Sequence, residues 1–223
     1  MSAPMRIAFA LLALAVALAD ARQPPAQPPP GSVSPQPPVS TEPQRGGGGQ
    51  RGGGRGRGGI PAMTLTSTAW PDGGSIPTKY SQAGGDISPA LTWSDVPDTA
   101  TSFVLVVHDL DAAVNPDTDD LLHWLVWNIP GSARSLPEHV PQGATLPDGS
   151  RQISATGPNY RAPGAPASGP AHHYVFELYA LDAPIDVAAV GQSPSQTRAA
   201  VIAAMAGHVR GKGVYTGLFK RSS

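Results

Sequence analysis

Two apolar runs, Phe103–Val107 and Leu121–Ile129, constrain this chain more than any other feature. Their length and their Val, Leu, Phe and Trp content predict buried strands rather than helices. Each run carries polar groups that a buried strand does not hold easily. The first leads into His108-Asp109-Leu110-Asp111, and the second contains His123. Burying such a group unpartnered costs roughly 1–3 kcal/mol for a lost hydrogen bond and more for a charge. A carboxylate ending one strand and a histidine inside the next are therefore either mutually satisfied or kept for a ligand.

The neighbouring segments extend the β pattern. Met63–Ala69 predicts an edge strand, and Ser75–Tyr80 a short one that Pro77 makes irregular. Ser88–Ser94, His172–Leu181 and Val214–Phe219 also read as strands. In His172–Leu181, Tyr174, Phe176, Leu178 and Ala180 share one face with His172, while His173 alternates to the other. One helix is expected. Ser193 suits its N-cap and Pro194 its first position, Val201, Ile202, Met205 and Val209 follow at helical spacing, and Gly211 is the expected stop. Many strands and one late helix predict a mainly β, antiparallel fold.

The first quarter of the chain has a different character. Residues 1–21 carry Arg6, a 12-residue apolar run from Ile7 to Leu18, and Ala19-Asp20-Ala21. That layout predicts a secretory signal peptide cleaved after Ala21, and with it a secreted or periplasmic protein. The run is too short to cross a hydrocarbon core of about 30 Å, so no transmembrane segment is expected in the mature chain. Residues 22–59 are Pro-rich and then Arg/Gly-rich, which predicts a disordered linker ahead of a domain at 60–223.

Composition narrows the chemistry. Cysteine is absent, which removes disulfides, thiolate nucleophiles and Cys-type metal sites. From Ile60 onward there are 9 Lys and Arg against 14 Asp and Glu, a balance of −5. Such a domain is a poor partner for nucleic acid. No Gly-x-Ser-x-Gly occurs and no serine stands beside the histidines, which weakens a hydrolase reading; no enzyme activity and no cofactor are expected.

A series of landmarks then resembles the phosphatidylethanolamine-binding protein (PEBP) family, in its bacterial Raf-kinase-inhibitor-like branch. They are Ser88-Pro89-Ala90-Leu91-Thr92-Trp93, Asp109-Leu110-Asp111-Ala112, His123-Trp124, Asn128-Ile129-Pro130, the loop Tyr160–Pro170, His172-His173-Tyr174-Val175-Phe176 and Gly213-Val214-Tyr215. The order and spacing match over roughly Ala62–Phe219. The resemblance implies an antiparallel β-sheet sandwich with one C-terminal helix. It also implies a small anion pocket built from Asp109, His123, Pro163, His172 and Tyr174, taking phosphate or a phospholipid head group such as phosphoethanolamine. A protein partner, a kinase or protease inhibited by contact, is implied as well. The family's usual Asp-Pro-Asp-Ala-Pro reads Asp109-Leu110-Asp111-Ala112-Ala113 here, without either proline.

The residue types agree with that pocket. Imidazoles and a tyrosyl hydroxyl can donate to phosphate oxygens, and Gly157, Gly164 and Gly169 could bring backbone N–H groups close. A metal held by Asp109, His123 and His172, or a metal-dependent enzyme at that cluster, is the rival reading. Other polar residues have plainer expectations. His173 is a partly exposed strand residue, Asp111 holds its loop, and His208 caps or packs at the helix end. Asn115, Asp117 and Asp119 alternate as in a calcium loop, but Asp120 stands where glycine is needed and Val126 where glutamate is, so a solvated loop is expected.

Overall fold

The computed structural model describes residues 59–113 and 119–223. The signal-peptide and linker expectations, and the calcium-like Asn115 and Asp117, lie outside the described residues. In chain order the strands are β1 (Thr64–Thr66), β2 (Gly74–Ser75), β3 (Leu91–Ser94), β4 (Ser102–Ala113), β5 (Asp120–Pro130), β6 (Ser135–Leu136), β7 (Arg151–Ile153) and β8 (His172–Leu181). Helix α1 (Pro194–Met205) and strand β9 (Val209–Phe219) complete the chain.

Strands β2-β9-β8-β4-β5-β7 form a six-stranded sheet, and β1-β3-β6 a smaller one. The named strands pair antiparallel except β2 with β9. Strand β4 lies inside the sheet because its run Phe103–Val107 is apolar on both faces. Its odd residues Phe103, Leu105 and Val107 join Trp93, Leu91, Leu136, Phe176 and Leu178 in a core between the two sheets. Its even residues Val104 and Val106 join Trp127, Leu181, Val201 and Met205 in a second core under α1. Fully burying each such side chain contributes about 1.5–3 kcal/mol, and a one-residue slip would exchange the two sets. The register is therefore set from both faces.

Two expectations need correction. Ser75–Tyr80 is not a strand. Only Gly74 and Ser75 pair, and Thr78–Tyr80 forms a 3₁₀ turn after Pro77, which has no N–H to offer a ladder. The helix does begin as expected, with the Ser193 hydroxyl accepting from Gln196 N and the Gln196 side chain returning to Ser193 N. It ends at Met205, however, before Gly207 at φ +82°, and Val209 already belongs to β9. Gly211 lies within that strand for a packing reason. A Cβ there would stand 3.0 Å from Pro97 Cγ and 3.2 Å from Met63 Cγ.

Candidate functional site

The inner face of the large sheet ends in polar residues. Asp109 follows Phe103, Leu105 and Val107 on that face and lies directly opposite Tyr174 of β8. His172, two residues before Tyr174, shares the face. Its Nδ1 stands 2.8 Å and 3.1 Å from the two Asp109 carboxylate oxygens. The carboxylate can only accept here, so Nδ1–H donates. Asp111 N donates to Asp109 Oδ1 at 3.0 Å. Asp109 is 2 % exposed, so these bonds replace its water. Burial pushes the Tyr174 phenol well above its ordinary range, and the adjacent Asp109 carboxylate adds to the effect.

His123 arrives by a β-bulge. Val107 pairs with Trp124 and His108 with Leu122, which leaves His123 as an extra residue in β5. The bulge lets Trp124 stay in the inner core and Leu122 in the outer one. The His123 ring stands edge-on to Tyr174, with centroids 5.0 Å apart at 86°. Its Nδ1 donates to Arg161 O at 2.7 Å, and its Nε2 is buried with no partner. Burial holds its pKa below the ordinary histidine value, against the Arg161 carbonyl and the Asp109 charge, which act to raise it. The ring is therefore neutral near pH 7, with Nδ1 protonated and Nε2 presenting a lone pair.

Pro163 sits in the loop that closes this end. Arg161 N donates to His123 O at 3.0 Å and Gln82 N to Pro163 O at 3.0 Å. Gly164 N donates to the Tyr174 hydroxyl at 3.3 Å. Arg221 grips Gly164 O from outside. The five expected residues are thus gathered at one end of the sheet. The backbone N–H groups expected from the loop are partly spent. Gly157 N bonds Ser154 O, and Gly164 N serves Tyr174. A glycine frees the backbone to approach, but here the loop closes on its own protein groups.

The other polar residues lie apart. His173 is exposed, and its N and Nδ1 both bond Asp111 Oδ2, at 2.6 Å and 2.8 Å. Asp111 thereby ties β4 to β8. His208 lies just beyond the helix, where its N donates to the carbonyl of Met205, the last helical residue, at 3.0 Å, while its side chain bonds Asp182 at 2.8 Å. Among the described residues no three His, Asp or Glu side chains stand together as a metal-holding group. Sequence reasoning missed Gln82 and Asp86, which hold the loop through Ala162 O and Ala162 N. Neither carries a local signal. Arg161 was also missed, although it is the one charged residue between Ala155 and Ala171.

The phosphatidylethanolamine-binding protein family model matches residues 66–220. This chain belongs to the phosphatidylethanolamine-binding protein family. It is 40% identical over 161 residues to a UPF0098 protein of Methanothermobacter thermautotrophicus, covering 71% of this chain and 99% of that one. It is 35% identical over 127 residues to the UPF0098 protein YbhB of Escherichia coli K12, covering 54% and 78%. Among solved structures it is similar to E. coli YbcL, described as a new member of the mammalian PEBP family. That match has a TM-score of 0.61 at 26% identity, over 72% of this chain and 99% of that one. The PEBP sandwich with one late helix is the fold seen here. In this PEBP chain Leu110, standing where the family's usual motif has proline, is 55% exposed and makes none of the Asp109 hydrogen bonds.

Proposed function

We propose that this protein binds a small phosphate-bearing group, free or as a phospholipid head group, at Asp109, His123, His172, Tyr174 and the Pro163 loop. The observation that carries the reading is the buried, unpartnered His123 Nε2 beside the pair formed by buried Asp109 and half-buried His172. A buried polar atom without a partner is uncommon in a folded protein and suits a ligand that supplies one. The neutral His123 offers an acceptor, so it suits a P–OH, hydroxyl or ammonium hydrogen. His172 has its Nδ1–H committed to Asp109, and among the described residues its Nε2 has no protein partner, so as an imidazolium it would donate Nε2–H to a phosphate oxygen, and as a neutral ring it would accept from a P–OH. A mixed acceptor and donor set fits a phosphate monoanion or the zwitterionic phosphoethanolamine better than a fully ionised phosphate.

Calorimetric titration with phosphate and phosphoethanolamine tests this. Saturable binding is expected for both, weakened about tenfold or more in His123→Ala and in His172→Ala, the loss of one charge-assisted bond being worth roughly 1.5–3 kcal/mol. Circular dichroism of each variant separates lost binding from lost folding. No saturable binding by the folded wild type would end the reading and leave inhibition of a kinase or protease through surface contact in front.

A further inference from the structure

The loop that carries Pro163 also borders a second concavity. A groove of about 410 Å³ is lined by Gln82, Asp86, Gln142, Thr156, Asn159 and Arg161. Every one of these side chains is polar, and they come from three separate stretches of chain. Several are held in place. Asp86 Oδ1 accepts from Ala162 N at 2.9 Å, Gln82 Nε2 donates to Ala162 O at 3.1 Å, and Asn159 Nδ2 donates to Tyr160 O at 2.8 Å. The Arg161 backbone is pinned to His123 through both its N and its O.

The Arg161 guanidinium is not pinned. Among the described residues, Lys79, Arg198, Arg210 and Lys212 pair with carboxylates. Arg134, Arg151, Lys220 and Arg221 donate to backbone carbonyls. Arg161 alone among the described Lys and Arg side chains has neither, and its Nε is buried without a partner. The region from Ile60 carries 14 Asp and Glu against 9 Lys and Arg, so carboxylates to pair it were plentiful. Even Asp86, in the same groove, stands outside ion-pair distance and spends an oxygen on Ala162 N.

We propose that Arg161 anchors a second small-anion site, taking a carboxylate or phosphate borne on a hydroxyl-rich small molecule. A guanidinium fork matches two oxygens of either anion. The amides of Gln82 and Gln142 donate and accept, which suits neighbouring hydroxyls, while Asn159 Nδ2 is spent on Tyr160 O and Thr156 Oγ1 and leaves its Oδ1 to accept. The free oxygen of Asp86 accepts from another. None of these side chains belongs to the histidine pocket, so this site stands or falls separately from it.

The test is an NMR titration of the full-length protein, followed at the Arg161 Nε–Hε resonance, with glucuronate, glycerol phosphate and glucose. Saturable shifts are expected from glucuronate, glycerol phosphate or both, and none from glucose. Whichever anion binds assigns the carboxylate or the phosphate arm. Arg161→Gln should weaken binding about tenfold or more, while His172→Ala leaves it within about twofold. If Arg161→Gln does not fold, the wild-type resonance alone decides. The proposal is overturned if neither anion shifts that resonance, if glucose shifts it equally, if folded Arg161→Gln binds undiminished, or if His172→Ala abolishes the effect.

Discussion

His123 shares a face with Asp109 because β5 holds one residue more than β4 can pair with. Strict alternation would place His123 opposite to Trp124, away from the inner core, and no residue in Leu121-Leu122-His123-Trp124 announces the bulge. The sequence marked His123 by chemistry, as a polar residue in an apolar run, while its direction came from pairing with β4. The same holds for Arg161, whose importance depends on what fails to surround it. Burial lowers the His123 pKa in the folded state, so the unfolded chain takes up the proton first as pH falls. Stability on this account is complete above the unfolded value of about 6.5 and declines as pH drops from there toward the lower folded value. Urea midpoints measured at steps from pH 7.5 to 5 should show that decline in wild type. His123→Asn, whose amide can still donate to Arg161 O but does not titrate, should flatten it. An identical slope in both proteins would mean that His123 contributes nothing to it.

Elements were legible where their own residues dictate them. The Ser193–Gln196 capping box and Pro194 start α1 from local chemistry alone. The alternation of His172–Leu181 placed Tyr174, Phe176 and Leu178 on the inner face, where they are buried. Strand β9 was only half legible, because its glycines resemble stop and turn signals. Gly211, Gly213 and Gly217 answer instead to the segments that cross over them. A Cβ on Gly213 would stand 3.0 Å from Met63 O, and one on Gly217 2.5 Å from Ile76 Cγ1 and 2.7 Å from Trp70 Nε1. A sequence does not say what will lie across a strand. Gly217→Ala should therefore cost about 1–3 kcal/mol by overpacking. Gly217 also pairs with Tyr174, so the strain reaches the site residues. Chemical denaturation gives the cost, and a variant as stable as wild type would show that Ile76 and Trp70 give way freely.

Across the whole molecule, the sheet's two faces divide the labour. The inner face ends in the Asp109–His172 pair, while the outer face carries a charge network that binds the helix to the sheet. His108 of β4 bonds Asp120 of β5 at 2.5 Å and stands 3.6 Å from Glu177 of β8. Arg198 of α1 pairs with the same Asp120, and Lys212 of β9 with Glu177. Burial acts to raise the Asp120 pKa but is outweighed by hydrogen bonds from Arg198 and His108, which leave it below the ordinary carboxylate value. Glu177 is held low in the same way, by Lys212 and Tyr179 against its burial. A depressed folded pKa gives stability that is present above the unfolded value of about 4 and lost as pH falls through the folded one. Asp120→Asn removes the charge while keeping the shape, and leaves His108 and Arg198 facing a neutral amide. It should cost roughly 1.5–3 kcal/mol at pH 7, the range for hydrogen bonds to charged groups. Thermal unfolding of both proteins at pH 7 and again near pH 2.5 checks this. The gap should narrow in acid, where wild-type Asp120 is itself losing its charge. A gap of undiminished size at low pH would show that Asp120 acts through packing rather than charge, and that the helix is held to the sheet by its apolar face, Val201 and Met205 with Ala200 and Ala204.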